Sequence, residues 1–224
     1  MPRDVVEVRN LVKRFDGRDA VLDGVDLAVA EHGFAVIYGK SGCGKTTLLN
    51  ILGGLDRPTS GDVLLDGEQL VGASEDHLAR IRIHKVGFVF QDYNLLDDLT
   101  VQENVALPLT FARKQDSGKV VGLLKSLGLD KIQRAYPNTI SGGEAQRVAV
   151  ARALINDPKV ILADEPTGNL DTENAQRVIE TLDLARREFG ATVILATHDP
   201  HLVRRATTTE AVHLENGKAT VDFM

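Results

Sequence analysis

Tyr38-Gly39-Lys40-Ser41-Gly42-Cys43-Gly44-Lys45-Thr46-Thr47 decides the fold. It is Gly, four residues, then Gly-Lys-Thr. The apolar run Phe34 to Tyr38 before it reads as a strand, and Lys45 to Leu52 after it as a helix. That order is the context a phosphate-binding loop needs. Glycines let consecutive N–H groups turn toward one anion. The helix start adds free N–H groups and the positive end of its dipole. Gly39, Lys40, Ser41, Gly42, Cys43, Gly44, Lys45, Thr46 and Thr47 are therefore expected to cradle a nucleotide. Lys45 would reach the β- and γ-phosphates, and the Thr46 hydroxyl would hold Mg²⁺.

Working outward, 224 residues suffice for one well-buried α/β domain. A net charge of −6 gives no support to a nucleic-acid partner. The single cysteine, Cys43, leaves no internal disulfide and fits a reducing compartment. Its thiol lies inside the phosphate loop, so alkylation is expected to crowd the loop and block nucleotide binding. No apolar run approaches the roughly 20 residues of a membrane span, and the start does not lead into a signal-peptide core. Any work at a membrane is expected to go through a docked partner.

Before the loop, Val5 to Val12 and Val21 to Val29 read as strands, with Asp16-Gly17-Arg18 as the turn between them. The second run is broken near Asp23-Gly24, and its alternation at Val25, Leu27 and Val29 suggests a half-buried antiparallel strand. Phe15, just ahead of this hairpin, reads by itself as core. After the loop, Asp62 to Leu65 is a short strand, Ser74 caps a helix, and Val86 to Phe90 is a buried strand ending on Gln91. Thr100-Val101-Gln102-Glu103 is a capping box, opening a helix that Pro108 ends or kinks. Residues 92 to 138 read as a mostly helical insertion within one domain spanning 1–224, with Gly118, Gly122 and Gly128 as interruptions.

Two further stretches carry chemistry. Ser141-Gly142-Gly143-Glu144 has capping-box spacing. The two glycines behind the serine also bare N–H groups at a helix start, which makes a second anion site. Val160 to Glu165 is an apolar run ending in two acids, a buried parallel strand with carboxylates at its C-terminal end, where such sheets bind ligands. Asp164 is the natural Mg²⁺ partner, and Glu165 could position and deprotonate a water. Thr172 to Phe189 is an amphipathic helix. Thr192 to Thr197 is another buried strand; a lone histidine such as His198 is by itself most often structural, but at this strand end it could instead touch a γ-phosphate.

Together these residues resemble the nucleotide-binding subunit of ATP-binding-cassette transporters, over essentially the whole chain. The matched motifs are the phosphate loop, Gln91 of the Q-loop, the signature Ser141 to Gln146, the Asp164-Glu165 pair, Asn169-Leu170-Asp171 of the D-loop and the switch His198. Asp164 to Asp171, and Asn94-Leu95-Leu96 with Leu99 to Val105, are similar to the branch of lipoprotein-releasing, macrolide-exporting, heme-exporting and cell-division ATPases. The signature departs from the commonest form at Ile140 and Glu144, which leaves its Ser-Gly-Gly geometry intact. Phe15 stands where tyrosine is more usual.

The resemblance implies an α/β fold of the P-loop NTPase, ABC ATPase type. It has a mostly parallel core sheet flanked by helices, an antiparallel β subdomain and a helical subdomain. It implies ATP and Mg²⁺ as cofactors, with Phe15 stacking on adenine. Glu165, His198 and Gln91 would serve hydrolysis, Thr46, Gln91 and Asp164 the metal, and Ser141, Gly142, Gly143 and Asp171 the ATP of a second, head-to-tail copy. A separate permease would then be driven from the cytoplasmic face of the membrane, for export or extraction. Two alternatives stand beside this reading. One is a regulatory ATPase that moves a membrane partner to activate cell-wall enzymes. The other, a soluble repair or translation ATPase, is disfavoured because no long coiled coil and no second cassette are present. Tyr93, Leu95 and Leu96 are expected to line the groove for a permease helix.

Overall fold

The computed structural model describes residues 3–16, 19–199 and 208–222. Gly17 and Arg18, part of the first expected turn, lie outside them. The ten strands described form two sheets. The first is antiparallel, in the order β2 (Ala20–Ala30), β1 (Asp4–Arg14), β4 (Ser60–Leu65), β5 (Glu68–Gln69). The expected break at Asp23-Gly24 is a bulge inside one strand. Leu11 pairs with Val25 and Val12 with Asp23, so Gly24, at φ 73°, is the extra residue.

The second sheet runs β10 (Lys218–Asp222), β9 (Glu210–Glu215), β3 (Phe34–Tyr38), β8 (Thr192–Thr197), β7 (Val160–Asp164), β6 (Val86–Val89). All neighbours are parallel except β10 and β9. Parallel strands bury both faces, and alternate residues here sort to two cores. Phe34 and Val36 pack toward α3 (Val101–Phe111), α4 (Ser117–Ser126), α5 (Gly142–Leu154) and α6 (Thr172–Phe189). Ala35 and Ile37 pack toward the antiparallel sheet, α1 (Lys45–Leu52) and α2 (Glu75–Lys85). In α1, Leu48, Leu49, Ile51 and Leu52 are buried. Each contributes up to about 1.5–3 kcal/mol of apolar burial, which anchors the helix whose first turn follows the phosphate loop.

Between residues 92 and 138 the structure is less helical than the sequence suggests. Residues 92–100 form no helix. Tyr93 and Asn94 have φ of 59° and 51°, outside any right-handed helix. The fully buried Asn104 accepts from Leu96 N at 2.8 Å and donates to the carbonyls of Leu96 and Leu99 at 3.0 and 2.9 Å. Those backbone groups are satisfied by a side chain instead of a helix ladder. Pro108 lies inside α3, which continues to Phe111. Gly118 and Gly122 are helical residues of α4, and only Gly128, at φ 67°, follows its end.

Candidate functional site

Parallel pairing brings the chemistry to one sheet edge. Tyr38 pairs with Thr197, and Asp164 with Ala196, so the phosphate loop, Asp164-Glu165 and His198 leave neighbouring strands at the same level. Gln91 follows β6 on the same edge. A cavity of about 540 Å³ opens there, lined by Ser41, Gly42, Gly44, Lys45, Thr46 and Thr47, and by Val21, Gln91, Glu165 and His198. Gly44 must be glycine. Its φ is 108°, and a Cβ would meet Leu22 Cδ2 at 2.9 Å and Val21 O at 3.0 Å.

Lys45 is buried to 6% exposure, and its Nζ donates to Gly39 O at 3.0 Å and Lys40 O at 3.2 Å. It also lies 3.4 Å from Glu165 Oε1. Glu165 continues the β7 ladder by donating its N–H to Ala196 O at 3.0 Å. It then turns into the left-handed region at φ 47°, a conformation that is costly for a non-glycine residue and recurs at functional sites. Its Oε2 accepts from His198 N at 3.3 Å and lies 2.5 Å from His198 Nδ1. The carboxylate thus sits between a lysine and a histidine, inside the cavity.

Asp164 is the counterpart in the floor. Burial pushes its carboxyl above the usual range, opposed by a hydrogen bond from the Thr46 side chain, and Oδ1 is buried without a partner. An unpartnered acid oxygen beside a threonine hydroxyl suits a hard cation. Among the described residues no cluster of three His, Cys, Asp or Glu side chains could hold a metal unaided. An ion here would take its remaining ligands from phosphate and water, as Mg²⁺ does.

Gln91 Nε2 donates to Asn169 Oδ1 at 3.2 Å, and Asn169 Nδ2 donates to Asp92 Oδ1 at 3.2 Å. Asn169 thus bridges Gln91 and Asp92 and fixes Gln91 against the loop after Glu165. The sequence carries Asn169 as a motif letter but no sign of that contact. Val21 also lines the cavity with no sequence signal beyond its strand.

Ser141, Gly142 and Gly143 do not line this cavity. Ser141 caps α5, accepting from Glu144 N at 3.3 Å, while Glu144 Oε2 accepts from Ser141 N at 2.9 Å and Ser141 Oγ at 2.7 Å. Asp171 caps α6 through Asn174 N at 2.8 Å and accepts from Asn174 Nδ2 at 2.8 Å. The Asn174 side chain packs where a Cβ on Gly143 would stand, so the glycine is needed for close approach. Phe15 is no core residue: it is 42% exposed, with Lys13 Nζ 4.7 Å from its ring centroid. Cys43 lines an adjoining cavity beside Lys40 and His213 instead of the phosphate side.

Tyr93, Leu95 and Leu96 do not form the groove expected of them. Leu95 packs on the core, Leu96 is exposed, and the Tyr93 hydroxyl reaches Gly142. An apolar groove of about 380 Å³ does lie nearby, lined by Phe88, Phe90, Asn94, Pro108, Phe111 and Ala153 with Arg82 and Arg152.

The ABC transporter family model matches residues 22–168. The lipoprotein-releasing system ATP-binding protein LolD 1 of Chlorobium chlorochromatii is 39% identical over 99% of this chain and 93% of its own length. The macrolide export ATP-binding/permease protein MacB of Syntrophobacter fumaroxidans is 43% identical over 91% of this chain and 30% of its own. Among solved structures, the dimeric post-hydrolysis state of the ATP-binding cassette MJ0796, bound to ADP and Pi, superposes with a TM-score of 0.86. It is 38% identical and covers 97% of this chain and 98% of that one. With the loop, the paired acids and the histidine gathered on one sheet edge, these likenesses establish that the chain belongs to the ABC transporter family, among its ATP-binding cassettes.

Proposed function

We propose that two copies of this cassette bind Mg·ATP head to tail and drive a separate permease from the cytoplasmic face of a membrane, for export or extraction. The observation that carries the reading is Glu165, held between Lys45 at 3.4 Å and His198 at 2.5 Å in the wall of the phosphate cavity. The loop N–H groups and Lys45 bind the phosphates, and the exposed Phe15 ring stacks on the adenine. Thr46, Asp164 and Gln91 would hold Mg²⁺, which supplies charge neutralisation on the phosphates. Glu165 takes a proton from water as the water oxygen bonds to the γ-phosphorus and the bond to the ADP oxygen breaks. His198 holds the Glu165 carboxylate in place.

The second copy is argued from Ser141, Gly142 and Gly143. Their N–H groups open α5 away from the chain's own phosphate cavity, which suits an anion brought by another molecule. Asp171 at the neighbouring start of α6 belongs to the same face. Among the described residues no helix is long and apolar enough to cross a membrane. The groove around Phe111, which is 64% exposed, is proposed to receive a permease helix. Residues 92–138 act within the single cassette as the helical arm between groove and signature.

The test is Glu165→Gln. ATP binding should persist, hydrolysis should slow by roughly 10²–10⁴-fold, and ATP should trap a dimer on size exclusion. Hydrolysis near the wild-type rate would remove Glu165 as the base.

A further inference from the structure

The segment from Phe90 to Asn94 carries Gln91 over the phosphate cavity, yet it has little regular structure of its own. Its carbonyls are instead held by α5. The fully buried Gln146 donates from Nε2 to Phe90 O at 3.1 Å. Arg152, two turns further along, donates from Nη2 to Tyr93 O at 2.8 Å and from Nη1 to Asn94 O. Tyr93 and Asn94 are both left-handed; asparagine tolerates that region, whereas tyrosine rarely enters it unless its surroundings hold it there. Among the described residues no carboxylate pairs with Arg152, and burial alone lowers its affinity for its proton. A half-buried cation without an acid loses part of its hydration, and the two carbonyl bonds to the left-handed turn make up for that loss. At the start of α5, the Tyr93 hydroxyl lies 2.7 Å from where a Cβ on Gly142 would stand. One helix therefore grips both ends of the Gln91 segment and also begins with Ser141-Gly142-Gly143.

We propose that Gln146 and Arg152 are positioning residues that lock Gln91 to α5, so that the glutamine over the phosphate cavity and the glycine end offered to the second copy move as one body. The inference rests on the function proposed above, in which both ends meet ATP. It adds a mechanical consequence. Arg152 also lines the apolar groove, so a helix seated there bears on the same grip.

Two double-mutant cycles test it. Arg152→Lys keeps the charge but not both carbonyl bonds, and Gln146→Leu keeps the shape but not the donor. ATP turnover is measured for each alone and combined with Gln91→Ala. Alone, each should lower kcat about 3- to 10-fold, the worth of one lost hydrogen bond, and move KM less than about twofold. With Gln91→Ala they should add nothing, because their effect runs through that side chain. An equal loss in both backgrounds overturns the proposal. Amide exchange gives a second readout on the same proteins. Residues 90–96 should exchange about 3- to 10-fold faster while residues 172–189 stay unchanged, and unchanged exchange over 90–96 overturns the proposal whatever the turnover. Should Arg152→Lys fail to fold, the Gln146→Leu cycle decides. If Gln91→Ala alone turns over at the wild-type rate, the part given to Gln91 in hydrolysis fails, and the exchange measurement alone judges the grip.

Discussion

At the level of single residues, Asp164 and Glu165 show how two adjacent acids acquire different surroundings. Asp164 ends the strand and is buried among Thr46, Glu165 and Lys45, with burial the largest influence on its carboxyl. Glu165 leaves the strand through a left-handed turn and lies between the buried Lys45 and the exposed His198. The raised carboxyl pKa of Asp164 has a stability consequence. An acid harder to ionise in the fold than in the unfolded chain supports the fold below the unfolded value of 3.8, and that support is lost as pH rises through the higher native value. Asp164→Asn, which mimics the neutral acid, should therefore melt above wild type at pH 7.5 without nucleotide or Mg²⁺. The gap should shrink as pH falls toward 3.8. A variant that melts below wild type at pH 7.5 would contradict this account of the buried carboxyl.

The start of α5 works at the level of the element. Ser141 and Glu144 satisfy each other's backbone N–H groups, which leaves the helix end stiff and its remaining N–H groups available. The Ser141 backbone N–H, followed by its hydroxyl, holds the Glu144 carboxyl below the usual range. A depressed native pKa gives stability that is present above the unfolded value near 4.5 and is lost as pH falls through the native one. Glu144→Gln keeps the capping geometry but loses the charge at the positive end of the dipole. It should cost about 0.3–1 kcal/mol at pH 7, seen as a slightly lower urea midpoint. Acid should erase the difference. A cost that persists at pH 3 would place the effect in packing and not in charge.

For the whole molecule, the proposed head-to-tail pairing has a complementation signature. Lys45→Ala spoils the phosphate loop, and Ser141→Asp puts a negative charge where the second copy's phosphate would lie. Each alone should be nearly inactive. In a mixed dimer the two lesions fall on one site and leave the other complete, so mixing should restore ATPase activity. No recovery on mixing would mean that both motifs serve the same site of one chain. Docking is separable from this. Phe111→Glu should lower permease co-purification at least tenfold while the isolated cassette still binds ATP, because a carboxylate at the mouth of an apolar groove has to be desolvated on docking. Leu96→Glu, outside the groove, should leave co-purification intact.

What the sequence determined by itself was the chemistry and the class of fold. The glycine-lysine-threonine loop, the apolar strand ending in Asp164-Glu165 and the capping boxes are local patterns, set by residues a few positions apart. The helices from Lys45, Ser141 and Thr172 begin where their patterns place them. The tertiary structure alone decided which of these patterns meet. Strand order β3-β8-β7-β6 puts β8, which leads to His198, between the strands that lead to the phosphate loop and to Asp164, although His198 comes last in sequence. The non-helical turn after Gln91 was also invisible in the sequence. Its backbone partners are Asn104 and Arg152, and a side chain that satisfies a distant carbonyl leaves no period or spacing to read. The exposure of Phe15 and the lining of the apolar groove were decided in the same way, by what packs beside them in space and not by what precedes them along the chain.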